Sequence, residues 1–282
     1  MAKNTLVIFG GSDNEEQAAR KVASSFGCAI GTATVDGTKV NSNSSYSANG
    51  FILDDGDLSE VTQVVIFESS LKAIGNFNNG NVKKLCDHHN PGDFGYNYGS
   101  EKFWEGSSLG QLCELLGAER THELELVAAG DHCPVGAYLG QCPGIDPKEF
   151  LDFRVQQKVE FYAGNPRLPS KTAEQILADM ESAKIKLQEA KLVDGVRDLR
   201  QAGKIEELPE AAMSLGFAYM ASLPDTDREG NKTGNVKFTL GGHTTPEIVK
   251  NFIEWGNSLP NKVGNAYGNP TRGFAGVVVT PE

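Results

Sequence analysis

Short apolar runs that end in polar or charged residues set the pattern of the first half of the chain. Asn4–Phe9 (NTLVIF), Val61–Phe67 (VTQVVIF) and Val82–Cys86 (VKKLC) read as strands. They lack polar–apolar alternation and are separated by helical or loop segments, which predicts a parallel sheet covered on both faces. Asn14–Phe26 reads as a helix with Ala18, Val22, Ala23 and Phe26 on one face. Ser108 and Gln111 have capping-box spacing for a helix over Leu109–Leu116. Glu123–Gly140 reads as helical with a break near Gly130–Pro134, because Pro134 must sit in a first turn or a kink. Cys28–Phe51, rich in Gly, Ser, Asn and Thr, suggests short strands and a long loop, and carries no functional reading.

The second half changes character. Lys148–Tyr162 and Ser170–Asp198 are helical by period, the latter with Ile176, Leu177, Met180, Ala183 and Leu187 at helical spacing. The pattern breaks between Gly203 and Pro209. Met213–Ser222, Asn235–Leu240 and Gly276–Thr280 then read as strands, and Pro246–Trp255 as a helix. The expected fold class is α/β. A mostly parallel N-terminal sheet flanked by helices (1–147) leads through a helical connector (148–205) to a smaller C-terminal α+β domain (206–282).

Charge and composition narrow the partners. The 282 residues carry a net charge of −11, which argues against a basic groove for long nucleic acid. No apolar run reaches the roughly eighteen residues that a membrane span needs, and no signal-peptide pattern opens the chain. A cytoplasmic protein is the expectation. Five scattered cysteines fit reduced thiols, and without a Cys-x-x-Cys pair no structural zinc site is expected.

Candidate chemistry gathers at the strand ends, where open α/β sheets bind ligands. Asp13 follows the first strand and Gly10-Gly11, as a helix cap or part of an anion site. Glu68 ends the second strand. Asp87, His88 and His89 end the third, and Asn90-Pro91 stops it there. A carboxylate and two imidazoles on a turn suit a metal or a phosphate. Asp131 and His132 sit at the predicted helix break, as a second contribution to a site or as a cap beside a core cysteine. Near the C-terminus, Arg272 and Gly273 lie in a loop that suits a phosphate or is simply a structural turn.

These residues resemble the DHH phosphoesterase superfamily, which includes RecJ-type nucleases, oligoribonucleases, cyclic-dinucleotide phosphodiesterases and manganese pyrophosphatases. The match centres on Cys86-Asp87-His88-His89-Asn90-Pro91 behind a strand, with Ser107-Ser108 opening the next helix and Asp131 where the family places its next metal-binding aspartate. Gly268–Gly276 stands in the place of the family's glycine-rich accessory loop.

The resemblance implies a manganese or magnesium site, with two ions where it is intact. Asp13, Glu68, His88 and Asp131 would ligate metal, and Asp87 would bind metal or orient its neighbours. His89 would face the phosphoryl group, with Arg272, Gly273 and His243 on the substrate. It implies a hydrolase for a small phosphorylated molecule, a short oligonucleotide or a cyclic dinucleotide; a homodimer is allowed. The chain departs from the family pattern in several places. Phe9 stands where the first motif has a histidine, and Glu15 and Glu68 stand where it has aspartates. Gly241-Gly242-His243 looks like the accessory loop but precedes its helix. His132 and Cys133 are candidate substitute ligands. Three other readings follow from the residues: a degenerate member that binds nucleotide or phosphate without turnover, a zinc hydrolase using His88, His89, Asp131 and His132, and a structural cluster in which Asp87 caps a histidine turn.

Overall fold

The apolar runs of the first half do become parallel strands. A computed structural model describes residues 4–41, 44–75, 77, 82–166, 168–227, 231–270 and 273–281. In it β1 (Thr5–Phe9) is fully buried and lies between β2 (Ala29–Val35) and β5 (Gln63–Phe67), parallel to both. β6 (Val82–Cys86) pairs parallel with β5 on the far side. The sheet is mixed, because β3 (Thr38–Lys39) and β4 (Gly50–Asp55) both run antiparallel to β2. The β2–β3 hairpin turns on Asp36-Gly37, both with positive φ, as a two-residue hairpin turn requires.

One face of this sheet carries helices. α1 (Asn14–Ser25) packs on α3 (Ser108–Leu116) and α4 (His122–His132), with the single-turn α2 (Phe103–Gly106) beside them. The other face closes over Leu6, Ile8, Val64 and Ile66 with Ala48, Ala73 and Ile74 from short turns. α5 (Pro134–Tyr138) follows the predicted break, with Pro134 at its start. The parallel order β2-β1-β5-β6 reverses direction at β1, so the crevice beyond the ends of β1 and β5 is the switch point at which such sheets bind ligands.

The chain divides into two compact units, Met1–Ile145 and Asp146–Glu282. The second contains α6 (Pro147–Gly164), α7 (Ala173–Glu189), β7 (Lys191–Val193), β8 (Val196–Leu199), α8 (Leu208–Leu215), β9 (Ala218–Thr226), β10 (Lys232–Gly242), α9 (Pro246–Ser258), β11 (Tyr267–Asn269) and β12 (Phe274–Val279). Its sheet runs β11-β12-β10-β9-β8-β7, antiparallel except for β8 beside β9. Alternate residues of β9 face opposite layers, Tyr219 and Ala221 toward α7 and α8, Met220 toward α9. Buried Glu207 and Glu210 of α8's start take Lys158 and Arg154 of α6, which ties these helices together.

Two element predictions need correction. The helix expected to reach Asp198 stops at Glu189, and 191–199 form a β-hairpin whose turn residues Asp194 and Gly195 both have positive φ. That Asp-Gly pair is the hairpin signal that helical period hid. The strand expected from Met213 begins at Ala218. Pro209 opens α8, and Gly216 ends it in the left-handed conformation.

Candidate metal centre

The ends of β5 and β6 and the last turn of α4 converge. Glu68, His88, His89 and Asp131 each present one ligand atom, and these atoms all lie within 4.8 Å of one another. Each arrives by a different local device.

Glu68 follows β5 with φ of 46°, in the left-handed region that strains any non-glycine residue. The neighbouring backbone fixes it there. Its N–H donates to Cys86 O at 3.0 Å, and its own carbonyl accepts from Ser45 Oγ at 2.6 Å. Gly10 makes room for it, since a Cβ at residue 10 would stand 2.2 Å from Glu68 O.

Asp87 is buried and holds the two histidines. Its Oδ1 accepts from the backbone N–H of His88 at 2.7 Å and of His89 at 3.0 Å, and lies 3.1 Å from His89 Nδ1. Tyr46 Oη donates to its Oδ2 at 2.9 Å. Gln111 clamps the same peptide, donating Nε2 to Asp87 O at 3.1 Å. Burial alone would push the Asp87 carboxyl up, but the His89 side-chain and backbone donors and Tyr46 hold it below the usual value. Asp87 therefore orients its neighbours and stands outside the ligand group.

His88 is fixed through Ser108. The Ser108 hydroxyl donates to Glu68 Oε1 at 2.8 Å and lies 3.1 Å from His88 Nδ1. With its proton on Glu68, Ser108 accepts from His88 Nδ1–H, a tautomer assigned from this pattern, and Nε2 then faces Asp131 as an acceptor. Asp131 Oδ2 is 3.3 Å from Nε2, buried, and makes no hydrogen bond. An acceptor nitrogen and a lone carboxylate oxygen face each other across a gap that suits a cation. Ser108 was expected to cap α3. Ser107 does so instead, accepting from Gly110 N at 3.0 Å, which leaves Ser108 to the centre.

Further acids surround the four. Glu15 is buried on α1, and its Oε1 accepts from Leu109 N at 3.0 Å, where the start of α3 favours negative charge. Its Oε2 has no hydrogen-bond partner. Burial, then the Asp131 and Glu68 charges, push the Glu15 carboxyl well up. Burial and Asp131 raise Glu68 to about 8. Burial would lower His89, yet its bond to Asp87 and the charges of Glu68 and Asp131 raise it to about 9. Asp13 caps α1 by accepting from Glu16 N at 2.8 Å and feels the charges of Asp131 and His89, but stands outside the group of four.

Other candidate residues lie apart from the group. His132 donates Nε2 to Tyr98 O at 3.0 Å, its ring edge-on to His88 with centroids 4.8 Å apart. Burial lowers its pKa, which keeps it neutral. His243 is exposed in the second unit, two residues before Thr245, the cap of α9. Gly273 has φ of 70° and accepts from Thr244 Oγ1. Arg272 lies outside the described residues. Phe9, where the resemblance places a histidine, is buried against Phe67 under the Arg20 guanidinium. Arg20 also bonds Glu16, whose other oxygen accepts from Gly11 N.

Sequence reasoning read Ser108 and Gln111 only as a capping pair, not as positioning groups, and missed Tyr46 altogether. The Ser107-Ser108 doublet was the available signal, since one hydroxyl suffices for a cap. Tyr46 carries none. In the second unit, a cavity of about 150 Å³ lined by Val196, Met220, Leu240, Phe252 and Trp255 is apolar, and its Arg200 is engaged by Asp198. Apart from Asp194 of the hairpin turn, its lining offers no acid, base or nucleophile.

No protein-family model and no curated protein matches the chain. Among the described residues, no helix is long and apolar enough to cross a membrane.

Proposed function

We propose that the protein is a divalent-metal-dependent phosphoesterase of the DHH type, acting on a small phosphorylated molecule, a short oligonucleotide or a cyclic dinucleotide. One observation carries the reading: Glu68, His88, His89 and Asp131 converge within 4.8 Å beyond the carboxyl ends of parallel strands. The donor set fits a manganese or magnesium ion, since two carboxylates and an imidazole suit hard divalent cations, and Asp131 Oδ2 lacks a hydrogen bond. Glu68, His88 and Asp131 would hold the ion, and Glu15 and Asp13 would be the further acids for a second. When bound, such an ion supplies Lewis acidity toward a phosphoryl oxygen and toward water.

The chain's own groups do the rest. Asp87 keeps His89 protonated and aimed, so His89 neutralises a phosphoryl oxygen and gives its proton to the leaving oxygen. Ser108 holds His88 and Glu68 in register. The net charge of −11 disfavours a long polyanion and favours a short substrate met by local positive charge. A cytoplasmic location fits this reading.

The test is hydrolysis of short oligonucleotides, cyclic dinucleotides and a generic phosphodiester with manganese. Metal-dependent turnover that His88→Ala and Asp131→Ala abolish is expected. Absence of turnover, or turnover that survives both His88→Ala and Asp87→Ala, overturns it.

A second reading has an observation of its own. Phe9 fills the first-motif position beneath Arg20, and Glu16 is taken up by Gly11 and Arg20. That closes one side of the centre with protein contacts and favours a protein that binds phosphate or nucleotide without turnover. Tight nucleotide binding with no hydrolysis at any manganese concentration would decide for it.

A further inference from the structure

Beside the metal centre, the end of α4 and the turn after α5 bring two thiols together. Cys133 Sγ and Cys142 Sγ are 3.0 Å apart. A disulfide bond is about 2.0 Å long, so a shift of about 1 Å, within reach of side-chain rotation, would close one. The backbone holds both cysteines at this spacing. Cys133 O accepts from Ala137 N at 3.0 Å, Gln141 N donates to Gly136 O at 2.8 Å, and Cys142 O accepts from Ile145 N at 3.1 Å. Gly136 packs tightly on Ser100, where a Cβ would stand 1.9 Å from the hydroxyl oxygen. Cys133 is partly exposed and Cys142 buried. Burial pushes the other thiols up, Cys28 and Cys113 to about 11 and Cys86 to about 12. The hydrogen bond between the pair instead lowers Cys142 and pushes Cys133 up.

We propose that Cys133 and Cys142 form a reversible redox pair, oxidised by small disulfides of the glutathione class, and that closing it loosens the metal centre through Asp131. The partly exposed Cys133 gives up its thiol proton as it attacks one sulfur of the small disulfide and expels one thiolate. The Cys142 thiolate then attacks Cys133 sulfur in the mixed disulfide and expels the second. Each leaving thiolate takes up the proton that one cysteine lost. Two protein thiols and one small disulfide thus give one protein disulfide and two small thiols. The pull reaches the metal centre because Asp131 lies two residues before Cys133 in the last turn of α4, where Cys133 N donates to Ala129 O. The pairing itself is independent of the proposed function; the coupling to Asp131 rests on the metal-centre reading.

The experiment treats the whole protein with oxidised glutathione, follows intact mass and cross-linked peptides, and measures manganese binding by calorimetry before and after. The expected product is lighter by two hydrogens and yields a peptide joining residues 133 and 142. Manganese affinity falls about tenfold, the scale of a disturbed outer shell, and returns with dithiothreitol. Cys142→Ser carries one glutathione at Cys133 instead. Absence of the joined peptide, or lasting glutathione adducts on the unaltered protein, overturns the pairing. A joined peptide with unchanged manganese affinity overturns the coupling. If neither redox form binds manganese, the metal-centre reading and the coupling fall together while the joined peptide upholds the pairing.

Discussion

Asp131 Oδ2 lies 3.3 Å from His88 Nε2 and makes no hydrogen bond, although both side chains are largely buried. A buried carboxylate oxygen without a hydrogen bond is costly, and a cation between the two atoms would relieve it.

The first prediction concerns that gap. Asp131→Asn replaces a charged oxygen by a neutral amide of the same shape. Manganese affinity should fall at least about tenfold, while the metal-free protein melts at the same temperature or higher, because a carboxylate oxygen that makes no hydrogen bond has gone. Calorimetric titration and thermal melts read both quantities. Unchanged affinity would remove Asp131 from the ligand group.

Adjacent serines should separate in function. Ser107 caps α3, so Ser107→Ala should cost about 1 kcal/mol of stability and leave manganese binding alone. Ser108 bridges His88 and Glu68, so Ser108→Ala should weaken manganese binding about tenfold or more with a smaller loss of stability. Chemical denaturation with metal titration on both variants tests the split, and the opposite pattern would refute the assigned roles.

Asp87→Asn should release His89. The carboxylate that raises His89 to about 9 would be gone, so the imidazole should titrate nearer its ordinary value, visible in proton–nitrogen spectra of the ring. An unmoved His89 titration would show that Asp87 does not govern it.

Metal-free stability should fall as pH rises. Burial raises Glu16 to about 7 and Glu68 to about 8, and Glu15 goes up as well. His89 is raised to about 9. Each group binds its proton more tightly folded than unfolded, so the folded state carries more protons between about pH 4.5 and 9. Stability present at pH 5.5 is then lost progressively toward pH 9. Asp87 is lowered, and its contribution is lost only at strongly acid pH. With a chelator, the melting temperature should drop by roughly 5 °C or more from pH 6 to pH 8.5, and manganese should reverse the drop. A flat or rising profile in chelator would contradict the burial of these acids.

The parallel strands and their charged ends were legible because unbroken apolar runs have few alternatives to a covered sheet. Glu68, the Asp87–His89 turn and Asp131 were legible for the same reason, as each sits where a regular element stops. The 191–199 hairpin was not, because Lys191 to Asp198 continue a helical period and only Asp194-Gly195 marks the turn. The end of α8 was lost in the same way, since Met213 and Leu215 are apolar in either conformation. Within the centre, Tyr46 and Gln111 reach Asp87 from 41 and 24 residues away, and contacts at such separations leave no local trace.

The left-handed backbone at Glu68 gives the centre a thermodynamic signature of its own. Glycine there would relax the peptide, spare the protein a buried carboxylate and raise its resistance to unfolding by about 1 kcal/mol or more. The sturdier chain would lack one of the four converging ligand atoms. A selection for heat tolerance alone should drift toward Glu68→Gly, at the expense of that converging group.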